Sequence, residues 1–441
     1  MSAVLKEQEK LLARILTHVF LLTSFLSFHV FGSDSALSVN NWKEDLAFYK
    51  EELKANHINL FHNMSEDDFN NHLNQIMNEL PNLSRWQVIT KLMRLTRLIG
   101  DGHTTIPLWG EESLRLPIVV EHVNGRYIVT TSSPEFNALL GAELTSLNKV
   151  STRDIATKLS EIVPFVENEF SLGVRVAQSL TNASLLFGDG ILLTQNVIEG
   201  EFLTGNGQVV KVTMPLLSSE AWQSSSWESV VSAFPEGILN KVDTLSVKGF
   251  IDVGAQPQTK TVYLKITSYP DFETMIGFSS ALYEYMLQQS SQSIIIDLRE
   301  SYGGDLYMGM LLASFLNQVN SVDWQSGVFV LTSHKTFSAA MVNARQFWRL
   351  LNAKIYGEPT GAIPNGFQDM DSFQLPHSQL TITYSKRHFR IEDEPNNAVI
   401  PDVIVETTVE DKRTNYDRVL RKVMRQITDE LSRRNNGKVK Q

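Results

Sequence analysis

Apolar positions in the first hundred residues recur at helical spacing. Trp42, Leu46, Tyr49 and Leu53 repeat every three to four residues after Asn40. Ser65-Glu66-Asp67-Asp68 then forms a cap with an acidic first turn ahead of Phe69, Leu73, Ile76 and Leu80, and Ser84 caps a third run carrying Val88, Leu92, Leu95 and Leu98. The pattern predicts a helical cap over residues 40–100. It then shortens to strand periodicity: Pro117–Val120 and Tyr127–Val129 flank an Asn124-Gly125 turn. Gly141–Leu144 leads to a turn at Asn148 and a helix over about Thr152–Ile162, which predicts a small mixed β module over 113–215. Residues 167–252 are mixed and Ser-rich in part, and no boundary is legible inside them.

The last third alternates. Strands are predicted at Thr261–Ile266, Ser293–Leu298, Gly327–Leu331 and Lys354–Gly357, separated by helices at Phe272–Gln288, Leu306–Asn317 and Ser338–Leu351. This is the signature of βαβ units with parallel pairing, so the fold class is α/β with a layered core over 255–432. A basic, polar helix near Asn415–Ser432 closes it, ahead of a tail expected to fray.

At the amino terminus, Lys6, Lys10 and Arg14 precede an apolar run from Ile15 to Phe31, followed by Gly32 and polar Ser33-Asp34-Ser35. That layout predicts a secretory signal peptide or retained anchor over 1–32, and therefore a secreted or extracytoplasmic protein. A membrane helix needs about 20 consecutive apolar residues, and His18, Ser24, Ser27 and His29 interrupt this one.

Composition narrows the chemistry. The 441 residues suggest two to four domains at roughly 100–200 residues each. The balance of 39 basic against 49 acidic side chains leaves a charge of −10 without a long basic block, which argues against nucleic acid and anionic membrane surfaces as partners. There is no Cys, so thiol nucleophiles, disulfides and thiolate metal sites are excluded.

Three features carry candidate chemistry. Thr336-Phe337-Ser338-Ala339-Ala340 stands between a strand and a helix, where a serine hydroxyl and the following N–H can face one carbonyl. An ordinary helix cap explains the same Ser. Arg299-Glu300-Ser301-Tyr302-Gly303-Gly304-Asp305 follows a buried strand; paired glycines let main-chain amides approach an oxyanion, or merely satisfy a βα turn. No Lys-Ser or Lys-Thr follows them, so a phosphate loop fits poorly. Gly100-Asp101-Gly102-His103-Thr104 leaves an imidazole accessible in a polar setting, though a lone His is as readily structural. Together they supply the nucleophile, base and oxyanion donors of acyl transfer. No metal-ligand pattern stands out and no cofactor is expected.

In their order, Gly100–Thr104, Ile296-Asp297-Leu298-Arg299 with Gly303-Gly304, Leu331 through Ala340, and Gly357-Glu358-Pro359-Thr360-Gly361 resemble the S41 serine peptidases, the group of the tail-specific and tricorn core proteases. The resemblance covers about Trp42–His103 and Val262–Val405. It implies a crotonase-like ββα catalytic core, the helical cap and a PDZ-like β module. It makes Ser338 the nucleophile, with the N–H groups of Gly303 or Gly304 and of Ala339 as the oxyanion hole. The tail-specific branch carries a lysine base where this chain reads Thr360-Gly361-Ala362-Ile363-Pro364. The tricorn-like branch uses a His, oriented by a Ser and a Glu, and His103 matches it. Gly102 stands in place of that Ser, with Asp101 as candidate replacement. Glu394 is the first candidate for the Glu, being shortly before Pro401-Asp402, and Glu392 the second. His334, four residues before Ser338, competes with His103 for the base role, and His103 ranks first. The implied activity is hydrolysis of peptides or unfolded proteins through an acyl-enzyme on Ser338. The alternatives are a non-catalytic binder of apolar ligands on the same scaffold, as in the interphotoreceptor retinoid-binding relatives, and a small-ester hydrolase.

Overall fold

A computed structural model describes residues 37–438. The leader or anchor expected over 1–32 lies outside the described residues. Among those described, no helix is long and apolar enough to cross a membrane.

The first three helices form where the periodicity places them, at Val39–Asn56, Glu66–Glu79 and Arg85–Leu98. Ser65 accepts from the Asp68 N–H, and Ser84 and Gln87 close a reciprocal capping box, which satisfies amides that the helix starts leave unpaired. Their apolar faces meet in a core that includes Leu46, Leu53, Phe69, Leu73 and Leu92, and the buried Tyr49 hydroxyl bonds Thr96 Oγ1 at 2.8 Å.

An antiparallel sheet follows, its main path running Ile118–Val123, Arg126–Ser132, Glu143–Leu147, Val197–Leu203 and Val209–Pro215. Asn124 and Gly125 both take positive φ, the primed hairpin turn that the Asn-Gly pair predicts. The stretch that sequence patterning left unplaced thus contributes a hairpin to this sheet. It also supplies the helix Glu169–Leu180.

The second sheet orders its strands Val403–Ile404, Lys354–Gly357, Val328–Thr332, Ser293–Asp297, Thr261–Ile266, Ile251–Gln256 and Asn240–Lys241. The first five pair in parallel and the last two add antiparallel. Strands buried on both faces read as unbroken aliphatic runs, and Ile294-Ile295-Ile296 shows why. Ile294 and Ile296 join Met275, Leu282, Leu312 and Phe347 from the helices Phe272–Gln288, Leu306–Leu316 and Ala339–Leu350. Ile295 points the other way, to Tyr263, Phe329, Leu420, Val423 and Ile427. The C-terminal helix covering that face runs Arg418–Lys438, so the chain end expected to fray continues the helix to Lys438. Its first turn is clamped: Arg299 bonds both Asp297 and Asp417, and Tyr263 donates to Asp297.

A separate two-stranded hairpin, Asn365–Gln374 with Thr381–Arg390, has no counterpart in the sequence reading. It rests on the first helix through Asp45, a fully buried carboxylate that accepts the N–H groups of His377 and Ser378 at 2.8 Å each. Farther along, Thr105 and Thr383 exchange main-chain hydrogen bonds.

Asp45→Ala strands two inward-facing amides, so it is expected to destabilise the protein by roughly 2–4 kcal/mol in urea unfolding. A cost below about 1 kcal/mol would mean that the turn at His377 is held by something else.

Candidate active site

The parallel strands end side by side, and the loops leaving them build one side of the site. Strand Val328–Thr332 leads into a turn tied to the neighbouring loop at three points. Ser333 Oγ donates to the Arg299 carbonyl, Thr336 Oγ1 to that of Leu298, and the Phe337 N–H to that of Ser301. Gly361 N–H adds a fourth tie, to Thr336 O. Ser338 sits at the apex with φ 49° and ψ −128°, immediately before the helix. A β-carbon is strained at positive φ, at a cost of about 1–3 kcal/mol. Its side chain makes no capping bond, so the ordinary cap explanation fails here.

Gly303 lies directly against this apex. A β-carbon at Gly303 would come within 2.9 Å of Ser338 Cβ, 3.0 Å of the Ala339 nitrogen and 3.1 Å of the Phe337 oxygen. Gly303 and Gly304 also take φ values of 106° and 132°, which suit glycine alone. The structure therefore brings Gly303 beside Ser338 and Ala339. Gly304 is one step out, its α-carbon facing Tyr269 and Ser268, and Ser268 Oγ donates to the Gly303 carbonyl.

The imidazole arrives from the other side. His103 Nε2 is 3.0 Å from Ser338 Oγ, within proton-transfer reach, and the ring stacks on Phe337 with centroids 5.2 Å apart. Its loop is pinned by Asp101, whose carboxylate accepts the His103 N–H at 2.8 Å, Thr104 Oγ1 at 2.6 Å and His57 Nε2 at 3.0 Å. The Asn59 N–H donates to His57 Nδ1, which fixes the proton of a neutral His57 on Nε2, facing Asp101. Burial works to raise the Asp101 pKa, but the His57 bond and the nearby His103 charge prevail and hold it at about 2. Thr383 Oγ1, from the separate hairpin, donates to the His103 carbonyl at 2.8 Å.

The carboxylate beside His103 is Glu167, which sequence reasoning missed. Glu167 Oε1 is 2.8 Å from His103 Nδ1, a short contact whose alignment falls short of a regular hydrogen bond, and neither atom has another hydrogen-bond partner among the described residues. The other oxygen accepts the Ile363 N–H at 2.7 Å. Asn168 caps the helix Glu169–Leu180 and donates to Thr360 O and Asn397 O, so the segment carrying Glu167 is anchored to the loop after Gly357. The Thr360–Pro364 stretch, which lacks the lysine of the tail-specific branch, thus supplies a main-chain donor to this carboxylate.

Glu394 is not at the site: it is exposed, and its main-chain oxygen accepts a long bond from Asn365. Glu392 faces Arg345 Nε at 3.1 Å and takes a bond from Asn396. The ring of His334 stacks on Phe170 at 4.9 Å, and the serine hydroxyl bonds His103 instead. Asp101 holds the loop main chain and the His57 ring, and does not meet the ring nitrogens of His103. Gly102 has a steric reason to be glycine, because a β-carbon there would fall 2.3 Å from Glu167 Cγ.

Burial lowers the His103 pKa, and Arg175 acts in the same direction. The Glu167 contact and the charges of Glu167 and Asp101 outweigh both, leaving it above the ordinary value of 6.5. The ensemble is a hydroxyl, a nitrogen that can accept its proton, a carboxylate that stabilises the resulting imidazolium, and main-chain groups beside the hydroxyl.

No family model and no curated protein matches the chain. Solved structures share its fold. Mature CPAF complexed with lactacystin superimposes with a TM-score of 0.62 at 15% identity, over 89% of this chain and 99% of that one. Mature CPAF on its own gives 0.59 at 14% identity, over 86% of this chain and 95% of that one. At 14–15% identity the likeness is one of fold alone.

Titrating the His103 ring by NMR is expected to give a pKa above 6.5. Glu167→Gln removes the facing negative charge and should lower it, and Gly102→Ser should act in the same direction by displacing Glu167. A His103 pKa that does not move in Glu167→Gln would dissolve the pairing.

Proposed function

We propose that this chain is a serine peptidase in which Ser338 is the nucleophile, His103 the general base and Glu167 the carboxylate that orients and stabilises the imidazolium. The observation that carries this reading is the 3.0 Å approach of His103 Nε2 to Ser338 Oγ, two residues 235 positions apart in sequence. A strained serine that caps no helix amide and faces an imidazole backed by a carboxylate favours a catalytic site over a mere binding scaffold.

In this mechanism His103 takes the hydroxyl proton as Ser338 Oγ adds to a peptide carbonyl. The negative charge develops beside the Gly303 and Ala339 amides, with the Gly303–Gly304 peptide as the second candidate donor on that loop. Each well-placed donor of this kind contributes ~3–4 kcal/mol to stabilising the transition state. The protonated His103 then gives its proton to the leaving amine, and a water repeats the cycle on the acyl-enzyme. On this reading the sheet and its helices form the crotonase-like core, and the antiparallel sheet with its helices takes the place of the PDZ-like module. The substrates are peptides or unfolded proteins met outside the cytoplasm after export through the 1–32 segment.

Ser338→Ala is expected to reduce peptide hydrolysis by at least about 1,000-fold. Its melting temperature should change little, because the hydroxyl caps no helix amide and the hydrogen bond lost is the one to the His103 ring. A fluorophosphonate should label the wild type and not this variant. Turnover of Ser338→Ala at the wild-type rate would refute the assignment.

The pH profile follows from the His103 shift. The base works only when neutral, so the rate is lost as pH falls through a pKa raised above 6.5. In Glu167→Gln that acidic limb should move to lower pH while the maximal rate drops. An unmoved limb in kcat/KM would separate His103 from the proton transfer.

A further inference from the structure

Arg175 is the charged side chain beside the site that the proposed chemistry leaves unused. It projects from the helix Glu169–Leu180 into a wall of aromatic rings. Its guanidinium carbon lies 4.6 Å from the Tyr302 ring centre, 5.1 Å from that of Phe337 and 5.3 Å from that of Phe165. Phe337 is the residue before Ser338 and also stacks on His103, so one ring touches both the base and this cation. Trp109, 54% exposed, stacks on Phe165 and carries the aromatic wall toward solvent.

Arg299 is matched by Asp297 and Asp417 and Lys335 by Glu121 and Glu300, whereas Arg175, like the half-buried Arg97 and Arg115, has no ion pair among the described residues; what sets Arg175 apart from those two is its place against Phe337, the residue before Ser338. Among the described residues no carboxylate comes within ion-pair distance of Arg175. Its Nε donates to the Phe165 carbonyl at 3.3 Å and its Nη1 to Gln178 at 3.1 Å, the second contact open to solvent. Gln178 is itself held by Tyr302. Of the five N–H groups of a guanidinium, those on Nη2 have no acceptor among the described residues, and Nη2 is not sealed from solvent. Stacking fixes the plane of the fork, so an arriving carboxylate meets a preorganised pair of donors.

We propose that Arg175 is a specificity determinant that receives a substrate carboxylate next to the scissile bond, from an Asp or Glu side chain or from a free C-terminus. This rests on the serine peptidase reading. It also couples binding to the base, since the Arg175 charge opposes protonation of His103 and a bound carboxylate cancels that effect.

The test is a panel of peptides of one sequence carrying Glu or Gln at each position flanking the cleaved bond, each made as free acid and as C-terminal amide. In the wild type, Glu over Gln at one position, or acid over amide, is expected to raise kcat/KM by about tenfold or more. The position, or the acid-to-amide ratio, identifies the source of the carboxylate. Arg175→Met should bring that ratio toward one, and Arg175→Lys should retain part of it. Equal losses on acidic and neutral peptides in Arg175→Met would assign the residue to packing or to tuning His103, and would overturn the inference. Should Arg175→Met fail to fold, the wild-type ratios decide alone. Wild-type ratios within twofold throughout, with Ser338→Ala silent, overturn this inference and leave the peptidase reading standing. A wild type that cleaves none of the peptides and resists the fluorophosphonate removes both.

Discussion

The unfavourable backbone of Ser338 is the constraint around which the rest is arranged. A residue with a β-carbon keeps φ 49° only if its surroundings leave no cheaper alternative. Here the turn before it is stitched to the Leu298–Ser301 loop by two side-chain oxygens and one amide, while Ala339 and Ala340 after it are buried. Those attachments exist because parallel strands end in register, placing Asp297, Leu331 and Tyr356 abreast. Loops that leave such strand ends converge outside their carboxyl edge, where α/β sheets bind ligands.

Other segments meet that edge at close range. The loop of His103 comes from the helical cap and the Glu167 segment from the start of the helix Glu169–Leu180, and both approach where a side chain would not fit. Gly102 admits Glu167, as Gly303 admits the serine apex. A second tier of charge steadies the arrangement. Lys335, three residues before Ser338, bridges Glu300 of the glycine loop and Glu121 of the antiparallel sheet, and Lys412 pairs with the same Glu121. Burial disfavours the charged lysine, but the two carboxylates outweigh it and hold its pKa well above the ordinary value. Truncating Lys335 removes the link between Glu300 and Glu121 while Glu121 keeps Lys412, so the network fixes the relation between the antiparallel sheet and the serine turn more than it adds net stability.

Much of this was readable from residues alone, for identifiable reasons. The alternating core was legible because strands buried on both faces must be aliphatic and their helices must show a 3.6-residue period; Lys354–Gly357 and Phe272–Gln288 form over the spans predicted. Ser338 was legible because its turn lies between two strong patterns. The hairpin Asn365–Arg390 was not, since its outer face is polar and charged and its alternation is weak. Glu167 left no local mark: it is one acidic residue before an Asn helix cap, and its partner lies 64 positions earlier. Position relative to Pro401-Asp402 pointed to Glu394, but Asp402 is occupied in holding the Ile355 amide at 2.8 Å, and the segment before it turns outward.

The hairpin ties the beginning of the molecule to its chemistry. Asp45 grips its turn from the first helix, and Thr383 on its second strand grips the carbonyl of His103. Loosening the first helix therefore frees the imidazole from its seat while the parallel sheet, with its own core, stays intact. On the peptidase reading, activity becomes a gauge of whether the amino-terminal helices are docked, and it should vanish in an early, partial unfolding step, well before the bulk of the polypeptide melts.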